Sequence, residues 1–140
     1  MSDGRHKFFV DENIPPACAD IFRKPFKRAL FRSCADEELL GMKDVALFRT
    51  LSDRGFSVII THDKNQLFHA DELNGLRDAR LHWVGIDKIK GSGASYYSQL
   101  IAALSLAIPR IIAGDISDPH RFMVSSDPAR MERQLSIERL

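Results

Sequence analysis

Two cysteines, Cys18 and Cys34, are too few and too far apart for a disulfide framework or a zinc site. They read as reduced thiols. No long apolar run is present. The longest, residues 100–112, is broken by Ser105, Pro109 and Arg110 and falls short of the about 20 residues that cross a bilayer. The polar start, Met1 to Lys7, lacks a secretory h-region. Cytoplasm, with no membrane partner, is the expected location. Charge of one sign is also missing: the net is +1, which neither demands nor excludes nucleic acid. The five histidines include no pair at metal-ligand spacing on a helix, and no phosphate-binding Gly-rich motif occurs.

What remains is a chain of 140 residues, 44% apolar and 28% charged, long enough to bury roughly two-thirds of its unfolded surface without a staple. Its apolar pattern alternates between strand and helix. Phe8-Phe9-Val10 reads as a short buried strand ending at Asp11. Pro15 and Pro16 suit the first turn of a helix that carries Cys18, Ile21 and Phe22 and stops before Pro25. Ala29 to Phe31 is a candidate second strand. Lys43 to Arg54 has Val45, Phe48 and Leu51 at helical spacing, with Gly55 as its stop.

Val58-Ile59-Ile60-Thr61 is β-branched and apolar, as in a strand buried on both faces. A helix over 71–80, a strand over 82–86 and a Gly91-Ser92-Gly93 loop follow. A helix over 96–108 is expected to close at Pro109, with a candidate edge strand over 121–124. The expected organisation is one domain over 1–126 and a charged tail or short helix over 127–140, with Met131 and Leu135 one helical turn apart. Strands alternating with helices imply a mainly parallel sheet in an α/β fold, with sites beyond the carboxyl ends of the strands.

Two of those ends carry an aspartate, Asp11 and Asp63, and a third, Asp44, opens a helix. Carboxylates brought together repel, and a divalent cation relieves the conflict. Mg²⁺ and Mn²⁺ prefer oxygen ligands, and either one orients a phosphodiester and activates water. Thr61, two residues before Asp63, points the same way along a strand, so its hydroxyl is placed to hold a carboxylate or a metal-bound water. Asn13 either orients Asp11 or caps the next helix. Lys43 and Lys64 flank site aspartates and are candidate phosphate contacts. His62 is the one histidine near the site. Glu12 points away from Asp11 if the strand continues. Asp36, Glu37 and Glu38 either supply one more ligand or form a solvated turn. Arg23, Lys24, Lys27, Arg28 and Arg32 form a basic patch, either solvated or suited to RNA backbone or an acidic protein segment.

Phe-Phe-Val-Asp11-Glu-Asn-Ile-Pro, Gly41-Met-Lys-Asp44 and Val-Ile-Ile-Thr61-His-Asp63-Lys-Asn65 together resemble the PIN-like domain of VapC-type toxins, in the branch related to the Mut7-C domain. The resemblance covers roughly residues 7–112 and rests on the order and spacing of short motifs. It implies a three-layer α/β/α domain. It also implies a metal-dependent ribonuclease, the toxin of a toxin–antitoxin pair, with RNA as substrate, a cognate antitoxin as partner and dimers common. Asp11, Asp44 and Asp63 match the family's metal-binding acids. Relatives often carry a further acid where this chain has Asn65, which ligates or hydrogen-bonds but brings no charge. That departure leaves an inactive PIN-like binding module as the alternative. A phospho-receiver also has acids after such strands, but no clear Thr/Ser and Lys arrangement follows at the later strand ends.

Overall fold

The computed structural model describes residues 6–114, 118–127 and 134–140. Six strands form one sheet in the order β2-β1-β3-β4-β5-β6. They are β1 His6–Val10, β2 Ala29–Ser33, β3 Val58–Thr61, β4 His82–Ile86, β5 His120–Val124 and β6 Leu135–Arg139. All neighbours are parallel except β5 and β6. The helices are α1 Ala17–Arg23, α2 Cys34–Glu37, α3 Asp44–Asp53, α4 Ala70–Ala79 and α5 Gly93–Ala113, with a 3₁₀ turn over Lys64–Leu67.

Alternate residues of each central strand enter two separate cores, as a sheet covered on both faces requires. Phe8, Val10, Val58, Ile60, Val84 and Ile86 pack with Phe22 of α1 and Leu100, Leu104 and Ile108 of α5. Phe9, Ile59 and Trp83 pack on the other side with Phe48 and Leu51 of α3 and Leu76 of α4. The result is the expected α/β/α sandwich. The chain leaves β1 toward β2 on one side and returns to β3 on the other, so the order reverses between β1 and β3. That reversal opens a crevice at their carboxyl ends.

Gly55 stops α3 as expected. It adopts φ +83°, and the Phe56 N–H reaches back to the Leu51 carbonyl. α2 opens with a capping box: Ser33 accepts from the Asp36 N–H, and Asp36 accepts from the Ser33 N–H. That second bond, ahead of the hydroxyl of Ser33 and the nearby Arg23 and Arg32, holds the Asp36 carboxyl below its usual range. A depressed carboxyl stabilises the fold above its unfolded value of about 3.9 and loses that contribution as the pH falls through its folded value. Asp36→Asn is therefore expected to lower the melting temperature at pH 7. In thermal melts across pH, the gap to the native chain should narrow below about pH 4.

Two expectations for the C-terminal third need correction. α5 runs through Pro109 to Ala113 instead of closing there. Pro109 is exposed, while Ile108 and Ile111 beside it are buried in the core, so packing holds the last turn despite the missing N–H. α5 has the length and composition of a membrane span. Its buried stripe, Leu100, Leu104, Ala107, Ile108 and Ile111, lies within the first core. The segment expected as a tail or short helix contains β6, antiparallel to β5. Met131 lies outside the described residues. Residues 121–124 do form a strand, but β6 covers it and takes the edge. Buried Gln134 ties β6 in: its side-chain amide donates to the Ala103 carbonyl at 2.8 Å, and its backbone carbonyl accepts the Ser125 N–H at 2.7 Å.

Candidate active site

Asp11 follows β1 directly, and its N–H continues the ladder onto the Ile60 carbonyl of β3 at 2.9 Å. Its carboxylate is buried, 5% exposed. Oδ1 accepts the Glu12 N–H at 2.8 Å, and Oδ2 accepts the Thr61 hydroxyl at 2.8 Å. Burial raises the Asp11 pKa, and these hydrogen bonds oppose the rise only in part. Thr61 therefore does hold a carboxylate. The Thr61 oxygen also accepts the Asp63 N–H at 3.0 Å and the Asn13 amide at 3.0 Å. Asn13 does not cap α1, whose N-cap has no side-chain bond. Instead its Oδ1 accepts the His62 N–H at 3.0 Å, so it spans β1 and β3 and steadies Asp11 through Thr61.

Asp44 is the first residue of α3, where its charge also meets the helix dipole. Its pKa is raised, first by burial, then by the charges of Asp11, Asp63 and Glu72. Asp63 caps the 3₁₀ turn, its Oδ1 accepting the Asn65 N–H at 3.0 Å. The Asn65 and Lys64 side chains are exposed. Lys43 borders an open groove of about 480 Å³ between α3 and α4, with Asp44, His69 and Glu72.

Two residues escaped the sequence reading. Gln66, 1% exposed, donates from Nε2 to Asp11 Oδ2 at 3.3 Å and to Asp44 Oδ1 at 3.1 Å. Its Oε1 accepts the Trp83 indole N–H at 3.1 Å. Its one sequence signal is position, three residues past Asp63. Glu72, in the first turn of α4, has a buried Oε2 with no hydrogen-bond partner among the described residues.

Other candidates are placed elsewhere. His62 turns its ring to the Ile86 carbonyl at 3.1 Å and the Tyr96 hydroxyl at 2.9 Å. The carbonyl only accepts, so Nδ1 donates to it. Glu12 Oε2 accepts the Gly41 N–H at 3.1 Å, bracing the loop before Asp44. Glu37 pairs with Arg32 and Arg54, and Asp36 with Arg23. Those two acids are taken up in ion pairs, which neutralise two members of the basic patch. Burial pushes both cysteine thiols up to about 11, which keeps them protonated and inert.

A family model of PIN-like domains matches residues 6–88, from the start of β1 past the end of β4. The chain belongs to the PIN-like domain family. Its fold is of nuclease type. The match spans Asp11, Asp44, Gln66 and Trp83 alike. Comparison with curated proteins and with solved structures yields no match.

The donors of this PIN-like domain suit a hard divalent cation in kind. All are oxygens, and among the described residues no ion pair neutralises them and Glu72 Oε2 has no partner. Their spacing is not closed: among the described residues no three His, Cys, Asp or Glu side chains are gathered tightly enough to hold an ion. Gln66 occupies the oxygens that Asp11 and Asp44 turn toward each other.

Proposed function

We propose that this PIN-like domain is a metal-dependent endoribonuclease that hydrolyses RNA phosphodiester bonds, the toxin of a toxin–antitoxin pair in the VapC-like, Mut7-C-related branch. The observation that carries the reading is geometric: the carboxylates of Asp11 and Asp44 come close enough at a sheet switch point for one Gln66 amide to reach both, at 3.3 and 3.1 Å. Mg²⁺ or Mn²⁺, when bound, supplies charge stabilisation and an activated water. Asp11 and Asp44 are its ligands, with Asp63 and Glu72 closing the set. Thr61 and Asn13 hold the Asp11 carboxylate in place. Lys43 and Lys64 meet substrate phosphate. Phe68, 78% exposed at the end of the 3₁₀ turn, offers a face on which an unpaired base stacks. The cytoplasm, a cognate antitoxin and a homodimer complete the proposal.

Incubating total RNA with purified protein and Mn²⁺ or Mg²⁺ is expected to give discrete products that EDTA abolishes. Phe68→Ala is expected to raise the KM for single-stranded RNA about tenfold with an unchanged melting temperature, since base stacking contributes about 1–3 kcal/mol. An unchanged KM removes Phe68 from the substrate path. A second reading, a binding module without catalysis, draws on the open spacing and on Asn65. It requires RNA or protein binding with no cleavage under either metal.

A further inference from the structure

We infer that Gln66 is a clasp: its amide holds Asp11 and Asp44 together in the metal-free protein, yields their oxygens to an arriving divalent cation, and passes the exchange to Trp83. The inference rests on the metal-dependent reading above and adds to it a positioning residue and a built-in reporter.

The orientation of the amide follows from chemistry. A buried amide must satisfy both of its ends. The indole N–H of Trp83 only donates, so the atom facing it at 3.1 Å is the Gln66 oxygen. The NH₂ group therefore faces the acids. It has two hydrogens and two acceptors, Asp11 Oδ2 at 3.3 Å and Asp44 Oδ1 at 3.1 Å. Trp83 is fully buried and does not give way.

A carboxylate oxygen offers two lone pairs, and Asp11 Oδ2 already accepts the Thr61 hydroxyl at 2.8 Å and the Gln66 amide at 3.3 Å. A cation ligated at that oxygen therefore displaces the longer of the two bonds, the one from Gln66. Gln66 thus stabilises the metal-free pair of carboxylates and weakens the affinity for the ion. Displacement moves the Oε1 that holds the indole N–H. Trp83 is the only tryptophan in the chain, so its emission reports the site without a label.

The test is Mg²⁺ titration of the full chain and of Gln66→Met, an unbranched side chain without donors, followed by calorimetry and by tryptophan emission. Mg²⁺ is used because it is diamagnetic and does not itself quench. In the native chain, emission is expected to shift with the calorimetric midpoint. Gln66→Met is expected to bind about tenfold more tightly, the loss of one competing hydrogen bond to a charged group, with emission no longer responding. Should Gln66→Met fail to fold, Trp83→Phe removes the anchor of the amide while keeping an aromatic ring in the core, and calorimetry should then show tighter binding.

Equal affinity in native and variant chains, or a native emission unmoved at saturating Mg²⁺, overturns the clasp while leaving the metal reading intact. Binding by the variant alone supports the clasp and overturns the metal reading for the native chain. Binding by neither overturns both.

Discussion

Asp11→Ala is expected to lower RNA cleavage by about a thousandfold while leaving the circular dichroism spectrum unchanged. The size follows from the several kcal/mol of charge stabilisation that a bound ion contributes, at 1.36 kcal/mol per tenfold. The unchanged fold follows from what Asp11 touches. Its ladder bond to Ile60 is made by the backbone and survives the substitution. Its carboxylate is buried at a cost, since burial raises its pKa, so removing it relieves desolvation even as Thr61 and Gln66 lose an acceptor.

Asp44→Ala is expected to match it. Asp63 needs Asn in place of Ala, because its carboxylate also accepts the Asn65 N–H and Ala would loosen the turn that carries Gln66. Cleavage assays beside the spectra decide the matter. A folded Asp11→Ala protein that cleaves at the native rate removes Asp11 from the chemistry.

Gly85→Ala is expected to be the most damaging conservative change in the sheet. Gly85 lies on β4 two residues after Trp83, on the same face. A Cβ at Gly85 would meet the indole at 1.9, 2.3 and 2.7 Å. The indole is rigid and fully buried among Phe9, Phe48, Ile59 and Leu76, so it cannot swing clear. Overpacking of this kind costs about 1–3 kcal/mol, and the lost indole bond to Gln66 about 1 more. A fall of about 10 °C in melting temperature is expected for a chain of this size, with altered tryptophan emission. A melting temperature within 2–3 °C of native would mean that β4 shifts to accept the methyl.

The central elements were legible because one local signal decided each of them. Val58 to Thr61 is β-branched throughout and apolar up to Ile60, and it is buried on both faces of the sheet. Leu51 and Phe48 sit at helical spacing before Gly55, and α3 ends there. The C-terminal third was misread where the local signal was real but weaker than packing. Pro109 does remove a helix bond, yet Ile108 and Ile111 hold the last turn in the core. Leu135 and Ile137 alternate as a strand does, but only the open edge of β5 turns that alternation into pairing.

By itself, the sequence determined that aspartates would end β1 and β3 and open α3. Strand and helix periods are local, and an acid after an apolar run needs no partner to be read. Tertiary structure decided what those acids meet. Gln66 is polar, lies in a short turn and carries no motif. It reaches Asp11 from 55 residues away and Trp83 from 17, distances that only the switch between β1 and β3 and the neighbouring β4 bring together. Glu72 likewise is an ordinary first-turn acid until α3 and α4 pack. Hydrogen bonds and charge repulsion act over a few ångströms of space, and separation along the chain does not encode which residues come within that range.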